Sequence, residues 1–314
     1  MIDMKYDILG DIHGCYDTFI TLLDKLNYQQ IDGCYQHASR KLIFVGDFVD
    51  RGPKQLEVVS CAKAMVEAGH AYAVIGNHEF NAIAYATHDP KDGGFLRRHS
   101  AHNQRNHEVF LKAAEADPAV YAEIIDWFFT LPMWLELDEL RVIHACWDQV
   151  TIDKIQTHYP TAPYLSKSLL HAASDPEQWE YDALETLLKG KEIKLGNGHS
   201  FLDPGGVRRY NMRVRWWDAT ATTYRSAFMG PESALPHLST DTIEENHLVD
   251  YPALEKPLFV GHYWMTGTPE PLASNIACVD YSIARSDGKM CAYRWDGEAV
   301  LRADKFVTVP RIEP

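Results

Sequence analysis

One pattern constrains the fold of this chain more than any other: an apolar run that ends in glycine and is followed at once by Asp or Asn. It occurs three times in the first part of the chain, in YDILGDIHG (6–14), LIFVGDFVDRG (42–52) and AYAVIGNHEF (71–80). Each run resembles a buried strand, and a helical pattern follows it. In parallel α/β sheets the ligand site lies beyond the carboxyl ends of the strands. The three loops should therefore meet at one edge of a sheet.

The first of these loops places an aspartate and a histidine, Asp11 and His13, one residue apart. In an extended segment residues i and i+2 point the same way, so the two side chains can converge on one point. Gly10 and Gly14 on either side let the backbone come close. A carboxylate and an imidazole at one point are half of a metal site. Because loops after strands are commonly built from Gly and Asp, an ordinary loop stays open for this stretch taken alone.

Other apolar runs supply further candidate ligands. WLELDELRVIHACWD predicts two short strands around a turn at 138–139, and PLFVGHYW repeats the strand-Gly-ligand pattern. The candidate metal ligands are Asp11, His13, Asp47, Asn77, His144 and His262. Oxygen and nitrogen donors without thiolate suit Mn, Fe, Zn, Mg or Ni. Two carboxylates and three histidines are more than one ion requires. The set therefore predicts two metals, with Asp47 as a bridge that would hold them ~3.5–4 Å apart.

The second and third loops also carry residues suited to phosphoryl chemistry. Two metals at that spacing can activate a water and clamp the oxygens of an in-line displacement. His78, directly after Asn77, is placed to protonate the leaving oxygen, and Asp50 is placed to fix its tautomer through the other ring nitrogen. Arg51 is placed to donate two hydrogen bonds to phosphate oxygens. The candidate catalytic residues are therefore His78, Asp50 and Arg51.

GDIHG, GDFVDRG and GNHE, in this order and spacing, resemble the three signature blocks of the phosphoprotein phosphatase family, a serine/threonine phosphatase-like branch of the calcineurin-like metallophosphoesterases. The resemblance implies an α/β fold of two mixed β-sheets packed as a sandwich and flanked by helices. It implies that the first metal is bound by Asp11 and His13, that Asp47 bridges, and that Asn77, His144 and His262 bind the second. It also implies that His78 and Asp50 form the acid pair and that Arg51 binds phosphate.

Two positions depart from the family pattern, and one expected arginine has two candidates in this sequence. The family usually has a glycine soon after the histidine that matches His144, but Ala145, Cys146 and Trp147 follow it here. In GHYW, Trp264 occupies the position where many relatives have a second histidine. The phosphoprotein phosphatase branch also lacks that histidine. The resemblance implies a second phosphate-binding arginine, for which Arg213 and Arg215 are candidates by position alone. A strand with exposed arginines and core tryptophans is an equal alternative for that stretch.

The motifs define a reaction class and leave the substrate open. The first hypothesis is a metal-dependent phosphatase that hydrolyses a phosphomonoester, either a phosphoprotein or a small phosphoester. The alternative is a dinucleoside polyphosphate hydrolase or a nucleic-acid-end phosphatase, because GDIHGCYDTF resembles those bacterial relatives equally well. A binding protein without activity is disfavoured because every expected ligand is present. We expect two divalent ions, with manganese as the first candidate and iron, zinc, nickel and magnesium as alternatives.

Composition narrows the class of protein. A net charge of -14 disfavours a sequence-independent nucleic-acid binder, although a local basic groove stays open. The six scattered cysteines fit reduced core thiols, and no apolar run approaches the ~18 residues that span a bilayer. We expect a cytoplasmic protein with no membrane partner. The 314 residues predict a single domain, 1–314, with variable insertions near 88–118 and 151–250. The oligomeric state stays open.

The variable parts should hold the determinants of substrate choice. Residues 88–118 predict a surface insertion with helical tendency, whose histidines His99, His102 and His107 lie on a solvated face. A group of aromatic residues could stack on a nucleobase or phosphotyrosine ring, or could simply pack in the core; its members are Trp147, Trp216, Trp217, Tyr263 and Trp264. IACVDYS, KMCAYRW and AVLRA predict closing strands.

Overall fold

The computed structural model describes residues 5–91, 93–114, 117–196, 199–202, 206 and 208–313. The helices are α1 Tyr16–Lys25, α2 Gln55–Glu67, α3 Asn77–Ala86, α4 Ala101–Ala114, α5 Pro118–Phe129, α6 Gln149–His158, α7 Lys167–Ala173, α8 Trp179–Lys189 and α9 Tyr224–Ala227. The strands are β1 Lys5–Leu9, β2 Gln29–Ile31, β3 Cys34–Gln36, β4 Arg40–Phe44, β5 Ala71–Ala73, β6 Trp134–Glu136, β7 Arg141–Ile143, β8 Glu192–Lys194, β9 Phe201–Leu202, β10 Arg208–Arg209, β11 Asn211–Arg213, β12 Leu258–Val260, β13 Ile276–Cys278, β14 Asp280–Tyr281, β15 Lys289–Trp295 and β16 Phe306–Pro310.

The larger sheet contains the three strands that precede the glycine loops. Its order is β14-β15-β1-β4-β5, and β16 pairs with β15. Strands β1, β4 and β5 are parallel to one another, with Ile8 beside Ile43 and Leu42 beside Ala71. Strand β15 runs antiparallel to β1. Because parallel strands end at the same edge, the loops after β1, β4 and β5 converge there, as the sequence predicts.

The smaller sheet has the order β13-β12-β7-β6. Strand β12 is parallel to both β7 and β13, and β6 is antiparallel to β7. The turn between β6 and β7 lies where the sequence predicts it. His144 directly follows β7, and His262 lies two residues after β12. The second sheet therefore brings two further candidate ligands to the ends of its strands.

An apolar layer joins the two sheets. Ile8 and Ile43 of the larger sheet lie in one buried cluster with Val142 and Phe259 of the smaller sheet. Leu9, next to Ile8, instead lies in the cluster that contains the helices, because successive side chains of a strand point to opposite faces. Each buried aliphatic or aromatic side chain contributes ~1.5–3 kcal/mol relative to exposure. This arrangement confirms two mixed β-sheets packed as a sandwich and flanked by helices.

The segment 88–118 forms helix α4 and the start of α5, which confirms its helical tendency. The prediction that the histidines of this segment lie on a solvated face is wrong for one of them. His107 is buried together with Phe110 and Ala114, at the spacing i, i+3 and i+7 that places residues on one face of a helix. Helix α4 packs against α2. His99 and His102 are exposed, as predicted.

The end of the chain differs from the prediction at one strand. Strands are present in IACVDYS and KMCAYRW, but AVLRA (299–303) forms bends and the start of a 3-10 turn. These residues make the connection that reverses the chain after β15, and β16 then pairs antiparallel with β15. The six cysteines are free, and four of them are buried. None of the described helices combines the length and apolar character needed to cross a membrane. The single domain stays a prediction.

Candidate metal centre and active site

Glycine allows the site loops to approach one another closely. Gly46 adopts a φ of +98°, and a Cβ at this position would lie 2.4 Å from the backbone nitrogen of Gly76. At Gly261 a Cβ would lie 2.3 Å from the carboxylate oxygen of Asp11. Any side chain at these two positions would push a candidate ligand away from the others. Close approach therefore explains both glycines, and the positive φ of Gly46 is a second reason at that position.

Several residues of the site loops have strained backbones. Among the described residues, nine non-glycine residues have positive φ, and six of them lie in these loops: His13, Asp47, Asp50, Arg51, His262 and Trp264. A non-glycine residue in this region costs about 1–3 kcal/mol, and such residues concentrate at active sites and ligand clamps. The surrounding hydrogen bonds must hold these loops in place. The residues with positive φ thus collect at the carboxyl edge of the sheets, where the candidate ligands lie.

Ligand atoms form two clusters around one carboxylate. The first contains His13, Asp47 and His78, and the second contains Asp47, His144 and His262; in each, the ligand atoms lie within 4.8 Å of one another. His13 Nε2 lies 3.7 Å from Asp47 Oδ2, and His144 Nε2 lies 3.4 Å from Asp47 Oδ1. Asp47 therefore offers one oxygen to each cluster, which is the geometry that a bridging ligand needs.

The amide of Asn77 completes the second cluster. Its Oδ1 lies 3.1 Å from His144 Nε2 and 2.8 Å from His262 Nδ1. Asn77 begins helix α3, immediately after Gly76. Three donor atoms from three different loops thus converge on one point. An amide oxygen and two imidazole nitrogens beside a carboxylate suit a first-row divalent cation.

Asp11 lies at the border of the first cluster. Its carboxylate is 4.0 Å from His13 Nε2 and accepts the backbone N–H of His262 at 3.2 Å. Burial, with the nearby carboxylates of Asp280 and Asp47, raises the pKa of Asp11 well above its usual value. Such a carboxylate is costly to ionise without a cation beside it. The sequence assigned Asp11 to the first metal, and the structure places it next to that cluster, with His78 in closer contact.

Backbone carbonyls orient two of the imidazoles. His13 Nδ1 donates to the Val49 carbonyl at 2.9 Å, and His144 Nδ1 donates to the Val45 carbonyl at 2.7 Å. Each ring therefore presents Nε2 to its cluster, as metal-binding histidines do. The Nε2 atom of His13 is buried and has no hydrogen-bond partner among the described atoms. A buried nitrogen lone pair without a partner, aimed at carboxylates, fits a bound cation.

The ionisation of Asp47 and the protonation of the histidines around it depend on one another. Burial opposes its ionisation, but the imidazoles of His144 and His78 hold the pKa of Asp47 well below its usual range. Burial lowers the pKa of His13 to about 4, with a further contribution from His78. Burial and the charge of Arg213 likewise lower the pKa of His262. His13 and His262 are therefore favoured as neutral imidazoles, which is the form that binds a metal, beside the ionised carboxylate of Asp47.

A buried glutamate holds the second and third loops together, and the sequence reasoning gave it no structural role. Glu79 accepts the backbone N–H groups of Asp47 at 2.8 Å, Phe48 at 2.8 Å and Gly76 at 3.0 Å. Burial, together with Asp47, raises the pKa of Glu79 to about 7. A glutamate three residues after a helix cap is the available sequence signal, because it is the position of a capping box. Glu79 therefore ties the loop of Asp47 to the start of α3.

His78 and Asp50 form the predicted pair. His78 Nδ1 lies 2.5 Å from Asp50 Oδ2. Burial lowers the pKa of His78, but Asp47 and Asp50 more than offset this and raise it above the usual value. Arg51 directly follows Asp50 and is exposed, and its charge acts against protonation of His13 and His78. The imidazole of His78 and the carboxylate of Asp50 are thus brought together at the first cluster.

The other oxygen of Asp50 binds a residue that the sequence reasoning placed on a solvated face. His107 Nδ1 lies 2.8 Å from Asp50 Oδ1. Burial opposes ionisation of Asp50, yet the hydrogen bonds from His107 and His78 hold its pKa below the usual range. The helical spacing of His107, Phe110 and Ala114 could have revealed that His107 is buried. It could not have revealed its partner.

The structure distinguishes between the two arginine candidates. Arg213 lies on β11, and its charge contributes to the lowered pKa of His262. Its Nε is buried without a hydrogen-bond partner among the described atoms, and its Nη2 is 3.9 Å from Glu192 Oε1. Arg215 lies beyond the end of β11 and is exposed. Arg213 is therefore the candidate beside the second cluster.

Most of the aromatic group packs in the core. Trp147, Trp216 and Tyr263 are buried, and the Tyr263 hydroxyl donates to the Ala145 carbonyl and accepts from Trp216 Nε1. Trp264 is different because it is 40% exposed. Its ring centre lies 6.2 Å from that of His13. One aromatic side chain therefore stands in solvent at the edge of the first cluster.

Comparison with known proteins gives a family match. A model of the calcineurin-like phosphoesterase family matches residues 4–218. This range contains all three glycine loops, His144 and Arg213. His262 lies beyond it, so the position of this histidine rests on the geometry described above.

Two relatives of similar sequence carry the same name. The bis(5'-nucleosyl)-tetraphosphatase (asymmetrical) of Halalkalibacterium halodurans is 50% identical over 76 residues, which is 24% of this chain and 31% of that protein. Its namesake from Bacillus cereus is 38% identical over 149 residues, 45% of this chain and 56% of that protein. The chain thus spans between about a third and somewhat over half of the length of these relatives.

One solved structure is similar over the full chain. It is a serine/threonine phosphatase from Saccharomyces cerevisiae with similarity to human phosphatase PP5. The TM-score is 0.52 at 15% sequence identity, and the match covers 100% of this chain and 82% of the other. This likeness shows a shared fold.

Proposed function

This chain belongs to the calcineurin-like phosphoesterase family, and on that premise we propose that it hydrolyses phosphoric esters with two divalent metal ions. The observation that carries the proposal is the position of Asp47, whose two oxygens serve two clusters of ligand atoms. The first ion would be held by Asp11, His13 and Asp47, and the second by Asp47, Asn77, His144 and His262. These residues fit divalent cations, since they combine oxygen and imidazole donors in a buried site.

Bound ions would supply the acidity that activates a water and the positive charge that neutralises phosphoryl oxygens. Proton transfer to the leaving group and binding of the phosphate oxygens would be carried out by side chains of the protein. His78 Nε2 lies 3.9 Å from Asp47 Oδ2, and a proton on it can be delivered to the leaving oxygen, because Asp50 holds the other nitrogen of the ring. The charge of Arg51 acts on His13 and His78 and the charge of Arg213 acts on His262, and both guanidinium groups would bind phosphate oxygens. Manganese is the first candidate for the ions, with iron, zinc, nickel and magnesium as alternatives.

An activity panel tests the reaction class. Metal-free protein is reconstituted with Mn, Ni, Mg or Zn and offered a phosphopeptide, 4-nitrophenyl phosphate and diadenosine tetraphosphate. Metal-dependent release of phosphate from either monoester supports a phosphomonoesterase. If none of the three substrates is hydrolysed with any of the metals, the proposal is contradicted.

A dinucleoside polyphosphate is the second candidate substrate, and two observations favour it. Relatives that are 50% identical over 76 residues and 38% identical over 149 residues are named bis(5'-nucleosyl)-tetraphosphatases. Trp264 offers an exposed ring at the edge of the first cluster, where a base attached to a bound phosphate could stack. Stacking of a base on an aromatic side chain contributes about 1–3 kcal/mol. Cleavage of diadenosine tetraphosphate in preference to both monoesters would select this candidate.

Trp264→Ala should raise KM for substrates that carry a planar ring. If the ring stacks on substrate, KM for diadenosine tetraphosphate should rise about 5- to 150-fold, which corresponds to 1–3 kcal/mol. KM for an alkyl phosphate should change little. Tyr164→Ala serves as the control, because Tyr164 is also exposed but belongs to the turn after α6. Equal KM values for wild type and Trp264→Ala on the dinucleotide would rule out stacking.

Arg51→Ala and Arg213→Ala should each weaken phosphate binding without loss of metal. A hydrogen bond to a charged group contributes about 1.5–3 kcal/mol, so kcat/KM should fall about 10- to 150-fold. Arg215→Ala is the matched control, since Arg215 is exposed beyond the end of β11. Metal content and steady-state kinetics measure the two effects separately. If Arg215→Ala has the larger effect, the assignment of Arg213 is wrong.

A further inference from the structure

We infer that His107 is a positioning residue for phosphoester hydrolysis, acting through Asp50 on His78; this inference rests on the function proposed above. The three side chains form one hydrogen-bonded row. His78 Nδ1 lies 2.5 Å from Asp50 Oδ2, and His107 Nδ1 lies 2.8 Å from Asp50 Oδ1. Each oxygen of the carboxylate thus has its own imidazole. The row joins three elements: the loop after β4, the start of α3 and the middle of α4.

The ionised carboxylate of Asp50 determines which ring nitrogen of His107 carries a hydrogen toward it. Hydrogen bonds keep Asp50 ionised, so its oxygens only accept, and Nδ1 of His107 must carry the hydrogen. Nε2 of His107 is buried and has no hydrogen-bond partner among the described atoms. Nδ1 of His107 is therefore the donor in this contact, assigned from its partner.

The effect of His107 is to hold the carboxylate in one orientation. Rotation about the last bond of an aspartate side chain meets only a broad, roughly two-fold barrier. One partner on Oδ2 leaves that rotation free, whereas a second partner on Oδ1 stops it. The backbone N–H of Asp50 donates to Gln55 Oε1 at 2.6 Å, which fixes the main chain as well. His78 then meets its partner oxygen at a fixed angle.

Packing gives His107 the rigidity that this role requires. Its side chain is buried, and its ring lies 5.0 Å from that of Phe110 and 5.6 Å from that of Tyr85. Tyr85 belongs to α3, the helix that begins at Asn77 and carries His78. Helix α4 therefore contacts both the acid-bearing helix and the carboxylate. A displacement of α4 would be transmitted to Asp50 directly.

Replacing His107 separates this role from general stability. His107→Leu removes the donor, His107→Asn keeps a donor near the position of Nδ1, and His107→Gln moves it farther out. The full-length, metal-loaded protein is assayed on an alkyl phosphate and on 4-nitrophenyl phosphate, whose leaving group needs little protonation. His107→Leu should lower kcat on the alkyl phosphate about 10- to 100-fold, with KM and metal content near wild type. The loss on 4-nitrophenyl phosphate should be smaller.

Two comparisons decide the inference. His107→Asn should recover most of the lost activity and His107→Gln should not, and this pair carries the test if His107→Leu does not fold. Combined with His78→Asn, His107→Leu should cause almost no further loss, because it acts through His78. His102→Leu, at an exposed histidine of the same helix, is the control and should match wild type.

Other results overturn the inference. A purely structural role would slow both substrates equally, would add fully to His78→Asn, and would make Asn and Gln equivalent. If wild type hydrolyses neither monoester nor diadenosine tetraphosphate with any metal, the proposed function fails and this inference fails with it. If wild type is active and all three His107 variants keep its rates, only the inference fails.

Discussion

Asp47→Asn should nearly abolish hydrolysis and should lower the metal content of both clusters together. Asp47 is the only residue in both groups of ligand atoms found among the described residues, and it lies 3.4 Å from His144 Nε2 and 3.7 Å from His13 Nε2. An amide removes the negative charge and leaves one oxygen acceptor where two are needed. A loss of several kcal/mol of transition-state stabilisation corresponds to about 10³-fold or more in rate.

Metal analysis makes this prediction specific. Purified wild type and variants are dialysed against one metal, and bound ions per chain are counted by inductively coupled plasma mass spectrometry. His13→Asn should weaken chiefly the first ion and His144→Asn chiefly the second, which gives a matched control on each side of Asp47. Thermal unfolding without metal checks that each variant is folded. Two tightly bound ions in Asp47→Asn would refute the bridging role.

His78→Asn should slow hydrolysis in a way that depends on the leaving group. On an alkyl phosphate, whose alkoxide must be protonated, the fall in kcat should be about 10²- to 10⁴-fold. On 4-nitrophenyl phosphate it should be much smaller, because that anion departs without a proton. Asp50→Asn should show a weaker form of the same dependence, since it disturbs His78 at the 2.5 Å contact without removing it.

The structure makes the metal content of His78→Asn informative. His78 falls within the first cluster of ligand atoms, and its Nε2 lies 3.9 Å from Asp47 Oδ2. A general acid should be dispensable for metal binding, whereas a ligand should not. Near wild-type metal content with leaving-group dependence supports the acid. Loss of one ion, or equal slowing of both substrates, would show that His78 is a ligand or a positioning group.

The sequence predicted the parts of the site that depend on local pattern. Apolar runs ending in glycine predicted strands β1, β4, β5 and β12, and the parallel order of three of them predicted that their loops would meet. Candidate ligands on those loops, such as Asp47 and His262, do lie together at the carboxyl ends of the strands. The alternation of side chains along a strand is a local property, so the sequence can show which residues leave the sheet together.

Choices between equivalent positions required the structure. Arg213 and Arg215 are two residues apart in one stretch, so strand alternation alone cannot separate them. Strand β11 ends at Arg213, whose charge contributes to the lowered pKa of His262, whereas Arg215 lies beyond the strand and is exposed. Similarly, composition could not distinguish Trp264 from the core aromatic residues. The left-handed backbone of Trp264, with φ +50°, turns it away from the buried Tyr263 beside it.

The sequence by itself determined which side chains leave the strand ends, because strand, turn and glycine signals act over a few neighbouring residues. Only the tertiary structure decided which distant residues support them. His107 lies 57 positions after Asp50, on a helix whose sequence is mostly polar, and the two meet because Phe110 and Ala114 bury one face of α4. Packing of apolar surface is non-directional and favours burial against many surfaces. The partner of a buried polar group therefore emerges only when the whole chain is folded.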